Sequence, residues 1–485
     1  MASSRLESTV KRLEAKKIFE LYNEVFQGWL NDKIIEIVPR EELGNDCHYL
    51  PHRPVLKEGS KTKIRPVFDA SACVSGNVSL NNCVEKGPNL VELLPIILNR
   101  FRENEIGVIS DIKKAFLQIE INKKDRDYLR FLWKLGNKYV HLRHRRVVFG
   151  LACSPFLLAA VLELHFNTCL EKAKNETSYV WTRETIKKLK SSFYVDNCVT
   201  SVKNEDALLY FRREAKEILR QGGFDLYEWE YSRDSSTRSA ALVLGIEWDK
   251  QKDTLRLNRR IFSFDVPHSL TKRNILSLAN KIFDPIRVTT PVSLLPKRML
   301  QDLWAEKYGW DTELDYVKKT EFTSWVNELH FLKELELTRY IGEGELTIHA
   351  FGDASASAYS AAIFARVENE KGVSVQLLNA KSRIAPKTNT IPRLELMAAT
   401  IEARLANTVV RGLTREVSRI FYWSDSTTVI AWIKREANLN LFVRNRVEEI
   451  RKLTHRDNWN HIAGEFNPAD LPSRGCSPIK LMQSK

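Results

Sequence analysis

One short stretch constrains this chain more than any other: Phe193, Tyr194, Val195, Asp196, Asn197, Cys198, Val199. Apolar runs lead into and out of Asp196-Asn197, so the segment reads as two short strands joined by a tight turn. Both polar residues tolerate the positive φ that such turns need. A carboxylate then stands on a stiff, exposed hairpin tip. Taken alone, the segment is equally readable as a plain turn, because turn residues are common. A second acid has a matching setting upstream, where the apolar strand Gly107 to Asp111 ends in a carboxylate and runs on toward Phe116. An acid at a strand end and an acid on a hairpin tip can together hold divalent metal for in-line attack on a phosphate.

The chain has 485 residues, more than one hydrophobic core usually supports, so roughly two to four domains are expected. Hydrophobic content of 43% belongs to a globular protein, and a net charge of +14 suits a polyanionic partner. The seven cysteines are scattered and form no Cys-x-x-Cys pair, which argues for a reducing compartment and against a zinc site or disulfide frame. No apolar run approaches ~18 residues and no charged-then-apolar leader opens the chain, so neither a membrane span nor secretion is expected.

Residues 7 to 30 carry Val10, Leu13, Ile18, Leu21, Val25 and Trp29 at near-helical spacing, which predicts one amphipathic helix. Further on, Lys63 and Arg65 alternate with apolar residues on a strand. They face one side, as phosphate-binding groups or as the charges of a protected edge. Leu90 to Phe101 reads as a helix. His141 to Arg146 is a basic strand, solvated or set against a nucleic-acid backbone. Gly150 leaves room for close backbone approach, and Ser154-Pro155 starts a helix. Residues 255 to 345 read as helical, with nothing that asks for chemistry.

The C-terminal part alternates differently. A strand over Glu345 to Phe351 ends near Asp353, two more strands follow, and Pro392 opens a helix with Glu395 in its first turn. A fourth strand, Arg419 to Trp423, ends near Asp425, and the chain continues through His461 to Asp470. Asp353 and Asp425 fall past strand ends, where α/β sheets place their sites. Any one of these acids would ordinarily be a cap or a solvated surface group. Four in this order are harder to dismiss.

Two resemblances emerge from these residues. Asp111 with Phe116, then Phe149-Gly150, Ser154-Pro155-Phe156 and Tyr194-Val195-Asp196 follow the motif order of reverse transcriptases, and the wording resembles the polymerase of BEL/Pao-type LTR retrotransposons. Gly222 to Trp229 and Val243 to Trp248 are similar to the last palm motifs. From residue 345 the order strand, strand, strand, helix, strand, helix, strand resembles ribonuclease H, with Asp353, Glu395, Asp425 and Asp470 as its acidic quartet.

The resemblance covers nearly the whole chain and implies an α+β multidomain protein. A helical lead-in (1–50) precedes the fingers and palm of a right-hand polymerase (51–252), a mainly helical thumb and connection (253–344), and an α/β ribonuclease H-like domain (345–485). The implied function is RNA-directed DNA synthesis with linked ribonuclease H, copying retrotransposon RNA into DNA. Asp111 and Asp196 would hold the polymerase metals with Asn197 as a lesser ligand. Lys63, Arg65, Phe116 and Gly150 would contact the nucleotide, Phe116 excluding a 2′-hydroxyl. The quartet would hold a second metal pair, so the implied cofactor is Mg²⁺, two per site, or Mn²⁺.

The implied partners are an RNA template, a DNA primer, an RNA–DNA hybrid, deoxynucleoside triphosphates and other parts of the same polyprotein, with no membrane. The implied location is intracellular, in a cytoplasmic virus-like particle or the nucleus. The sequence departs from the family pattern in four places. Asn197 stands where most reverse transcriptases carry a second Asp, and Glu228 where many relatives are basic. No Gln lies near Phe149, and Gly464-Glu465 replace a loop histidine. No Asp-Ser/Thr-Gly protease loop, zinc knuckle or integrase segment is present. The competing expectation is a decayed or domesticated nucleic-acid binder that has lost the polymerase and retains ribonuclease H or neither.

Overall fold

The computed structural model describes residues 2–56, 64–74, 76–136, 138–175, 181–234, 239–262, 266–435 and 439–484. Two compact units are present. One comprises Met1–Val91, Asp111–Cys198 and Phe211–Glu228, the other Glu92–Ser110, Val199–Tyr210 and Trp229–Lys485.

In the first unit, the single helix expected over residues 7–30 is two helices, Ala2–Ala15 and Phe19–Asn31. Lys17 adopts φ 54° between them. The apolar period continues across the break because both helices cover one core. Leu6, Val10, Leu13, Tyr22 and Phe26 pack with Phe68, Phe131, Trp133 and Leu142. A three-stranded sheet lies in the order Ile35–Ile37, Lys138–His144, Arg130–Leu135.

Its middle strand carries the basic segment expected to be solvated or to face nucleic acid, and that expectation fails for Arg143. This residue is buried, with Nε 2.7 Å from Glu36 Oε1 and Nη1 2.7 Å from Asp127 Oδ1, and it also bonds Glu42. The physical reason is pairing. Three carboxylates from elsewhere in the unit neutralise the guanidinium, so it goes inside.

The second unit holds two layers of structure that matter for function. A four-stranded sheet runs Ala240–Val243, Ile246–Asp249, Thr254–Arg256, Glu336–Thr338. The last of these strands interrupts the stretch expected to be helical. Between the last two strands come the helices Lys272–Ala279, Thr290–Ala305 and Tyr316–Glu328. Their core (Leu257, Ile275, Val292, Phe322, Leu329) also takes in Cys476 and Leu481 from the end of the chain.

The five-stranded sheet has the order Gly372–Ile384, Ala358–Asn369, Glu345–Ala354, Arg419–Ser424, Trp459–His461. The first three strands are antiparallel, and the last two join in parallel. Apolar residues at helical spacing (Leu396, Ala399, Ala403, Ala406) seat the helix Ile391–Gly412 on this sheet. A further helix, Leu441–Leu453, packs beside it and was not expected from the sequence order. Among the described residues, no helix is long and apolar enough to cross a membrane.

Candidate active sites

The C-terminal cluster is the more tightly defined of two candidate sites. Glu345–Ala354 carries Asp353 in its last turn of pleat, and Asp425 follows the parallel strand Arg419–Ser424. In that pairing Gly352 lies opposite Ser424, so the two acids leave adjacent strands side by side. Glu395 enters from the helix above. It stands in the second turn, the helix beginning at Ile391 rather than at Pro392. One oxygen from each of Asp353, Glu395 and Asp425 lies within 4.8 Å of the others.

The electrostatics of this group match a cation site. Burial first, then the charges of Asp353 and Asp425, push the Glu395 carboxyl up to about 8. Burial first, then Asp425 and Asp470, push Asp353 up to about 6, against a hydrogen bond from Ser473 Oγ. Glu395 Oε2 and Asp425 Oδ1 are buried without a hydrogen-bond partner. Buried carboxylate oxygens normally find donors, and three crowded acids with vacant lone pairs fit a hard divalent cation. Asp470 is outside the group of three. It bonds Arg474 Nε at 2.5 Å, yet lies close enough for its charge to act on Asp353. The turn Gly464–Phe466 flanks Asp425: a β-carbon on Gly464 would sit 3.2 Å from Asp425 Oδ2.

The other candidate is built on the four-stranded sheet ordered Phe193–Tyr194, Asn197–Val202, Ile106–Ile112, Leu226–Tyr231. The hairpin exists, but its turn differs from expectation. Phe193 pairs with Cys198 and Tyr194 with Asn197, so the two turn residues are Val195 and Asp196. The positive φ falls on Val195, at 57°, and not on Asp-Asn. A β-branched residue there is strained. Asn197 is instead the first strand residue, and its Nδ2 donates to Asp196 Oδ1 at 2.9 Å.

Asp196 and Asp111 are brought together: the Ile112 N–H donates to the Asp196 carbonyl at 3.0 Å. Burial raises the Asp196 carboxyl, and Arg65 acts against that rise. The Tyr227 hydroxyl is raised by burial and then by the charges of Asp111, Glu228 and Asp196, which places all three around it.

Phe116 is buried against Phe149, edge to face at 4.7 Å. Gly150 has φ 108°, and a β-carbon there would overlap the Phe68 carbonyl. The close approach expected at Gly150 is therefore to the chain's own backbone. Arg65 is exposed on the strand Ile64–Phe68, and Lys63 lies outside the described residues.

Sequence reasoning missed Ser473 and Tyr227, and it did not single out the buried acid Glu402. Glu402 is fully buried two helical turns beyond Glu395. An acid at that spacing within an apolar helix face was the available signal.

Comparison with known proteins agrees with this geometry. Residues 57–228 match the family described as reverse transcriptase (RNA-dependent DNA polymerase), and residues 271–426 match the Pao retrotransposon-like RNaseH-like domain. Solved structures with the same fold include the foamy viral protease-reverse transcriptase dRH in complex with double-stranded DNA. It is 15% identical, with 91% of this chain and 68% of that chain covered and a TM-score of 0.59. The foamy viral protease-reverse transcriptase in complex with RNA/DNA hybrid is 13% identical, covering 93% and 54%, with a TM-score of 0.56. The same enzyme with double-stranded DNA is 16% identical, covering 92% and 83%, with a TM-score of 0.55.

No curated protein matches. Sheet order, acidic strand ends and family matches together define a reverse transcriptase domain joined to a ribonuclease H-like domain. Within that architecture, the segment 271–426 is similar to the Pao retrotransposon type.

Proposed function

We propose that this chain copies retrotransposon RNA into DNA, extending a DNA primer with deoxynucleoside triphosphates and cutting the RNA of the resulting hybrid. The observation that carries the proposal is the convergence of Asp353, Glu395 and Asp425 within 4.8 Å. Such a convergence suits divalent-cation chemistry on a phosphate. Nucleic acid as a partner is supported by the foamy viral structures, which hold double-stranded DNA or RNA/DNA hybrid. The net charge of +14 points the same way.

In the ribonuclease H-like domain, Asp353, Glu395 and Asp425 would hold Mg²⁺, with Asp470 completing the set. When bound, the metal pair activates water and stabilises the leaving oxygen. Ser473 orients Asp353 by its hydrogen bond, and Arg474 holds Asp470. In the polymerase, Asp111 and Asp196 would hold the metals, with Asn197 fixing the Asp196 carboxylate through its amide. Arg65 and Lys63 would bind the triphosphate, and Phe116 would pack beneath the sugar. Gly150 would let the Phe149 segment lie flat on the Phe68 strand below that pocket. The division of labour proposed is fingers and palm over 51–252, thumb and connection over 253–344 and ribonuclease H-like domain over 345–485. The lead-in of residues 1–50 packs on the fingers core.

Primer extension run beside RNA–DNA hybrid cleavage tests the reading. Wild type is expected to cleave the hybrid with Mg²⁺ and to stop in excess chelator. Asp425→Asn should abolish cleavage while hybrid binding persists; cleavage that survives the change removes Asp425 from the site. A polymerase-silent ribonuclease H is the second reading, favoured by Asn197. Extension by wild type at any Mg²⁺ or Mn²⁺ concentration rejects it.

A further inference from the structure

Glu402 has no part in the sites above, yet it occupies the centre of the ribonuclease H-like fold. It is fully buried on the helix Ile391–Gly412. Its Oε1 accepts the Trp423 N–H at 3.2 Å. Its Oε2 is buried with no hydrogen-bond partner. A β-carbon on Gly352 would overlap that same oxygen and stand 3.5 Å from the Ala398 backbone, so the carboxyl group fills the space that glycine leaves. In the parallel pairing Phe351 lies opposite Trp423 and Gly352 opposite Ser424. Glu402 therefore touches both strands over their last two shared rungs, at Gly352 one residue before Asp353 and at Trp423 two before Asp425. Asn467 Nδ2 closes the other side of the rung by donating to the Gly352 carbonyl at 3.0 Å.

Buried acids without a full set of partners are costly, and an apolar side chain of similar size would pack here at lower cost. Stability gives no reason for an acid at this place, whereas geometry does. We propose that Glu402 is a positioning residue for the carboxylate cluster: its carboxyl group pegs the seam between the two strands that deliver Asp353 and Asp425, and so sets how tightly those acids hold a divalent cation. The inference rests on reading Asp353, Glu395 and Asp425 as metal ligands. Groups that orient ligands from behind typically change metal affinity by about 10–100-fold when removed.

The test is Mn²⁺ binding, followed by electron paramagnetic resonance, on the full chain carrying Asp111→Asn and Asp196→Asn so that the C-terminal site is read alone. Thermal unfolding is measured on the same samples. Glu402→Gln keeps an acceptor for Trp423 and should bind Mn²⁺ within about twofold of the parent. Glu402→Leu should bind roughly tenfold more weakly while its Tm stays nearly level, since removal of the unpartnered buried oxygen offsets the acceptor lost to the Trp423 N–H. Unchanged affinity in Glu402→Leu overturns the proposal, and so does a loss of affinity that merely tracks a fall in Tm.

If Glu402→Leu does not fold, the glycine side reports instead. Gly352→Ala should lower both Tm and Mn²⁺ affinity, and Gly352→Ala with Glu402→Ala should recover Tm but not affinity. A Gly352→Ala chain that matches its parent in both readouts also overturns it. Asp425→Asn is the control. If it leaves Mn²⁺ binding intact, the metal-site reading itself fails, which separates that failure from one confined to Glu402.

Discussion

At the scale of single residues, charge decides what these sites can do. Asn197 offers a metal one neutral oxygen and no charge, and its amide is committed to Asp196 Oδ1. DNA synthesis is therefore expected to be real but reduced, with a raised Mg²⁺ requirement or a preference for Mn²⁺. Asn197→Asp should raise primer extension at low Mg²⁺, and Asp196→Asn should eliminate it. If both wild type and Asn197→Asp stay inert at every metal concentration, the polymerase half is a binding module.

The C-terminal acids carry a pH dependence with a definite sign. Glu395 and Asp353 titrate at about 8 and about 6 when folded, against ordinary values of 4.5 and 3.8. Folded-state values raised in this way mean the native state binds the protons more tightly. Their stabilising contribution is full below the ordinary values and is lost as pH rises through about 6 and then about 8. Metal-free protein should therefore lose Tm on going from about pH 5 to about pH 8.5, Glu395→Gln should lose less, and Mg²⁺ should restore more at the higher pH. Calorimetry at several pH values checks this. A Tm gap between wild type and Glu395→Gln that does not change with pH contradicts it.

At the scale of elements, the strand Lys138–His144 shows how pairing overrides pattern. Arg143 is buried among Glu36, Glu42 and Asp127, so Arg143→Ala removes the one cation the three share and leaves Glu36 to Arg126 and Arg145, and Asp127 to Arg130. The expected cost is about 3–5 kcal/mol, read as a lowered midpoint in urea. A change under about 1 kcal/mol, the value of an exposed pair, would show that the network is solvated.

The hairpin tip makes the opposite case, where strain is kept at a site. Val195 at φ 57° costs on the order of 1–3 kcal/mol that a glycine would not. Val195→Gly is expected to raise Tm, and to lower primer extension because the tip that carries Asp196 loosens. Extension at or above the wild-type rate in Val195→Gly would remove strain from the account of this tip.

At the scale of the whole molecule, a charge of +14 predicts that affinity for a primer–template duplex falls steeply with salt and depends little on sequence. Binding that is equal at low and high salt would exclude a basic binding surface.

The architecture was legible where local pattern and fold agree. Short apolar runs ending near an acid marked the strands at Asp111, Asp353 and Asp425, and helical spacing of apolar residues marked the helix of Glu395. The acids were legible as a set through their order along the chain. Other features were decided only when the chain closed on itself. Arg143 turned inward because Glu36, Glu42 and Asp127 come from three separate segments, none of which is near it in sequence. The hairpin's positive φ fell on Val195 because strand register, set by the pairing of Phe193 with Cys198, outweighs the turn preference of Asp and Asn. Cys476 and Leu481 joined a core some two hundred residues upstream. Only the fold brings Gly352 and Trp423 to Glu402. Periodicity is written residue by residue and can be read from one strand of text. Charge compensation and space-filling belong to pairs of residues distant in sequence, and only the tertiary structure names the partner.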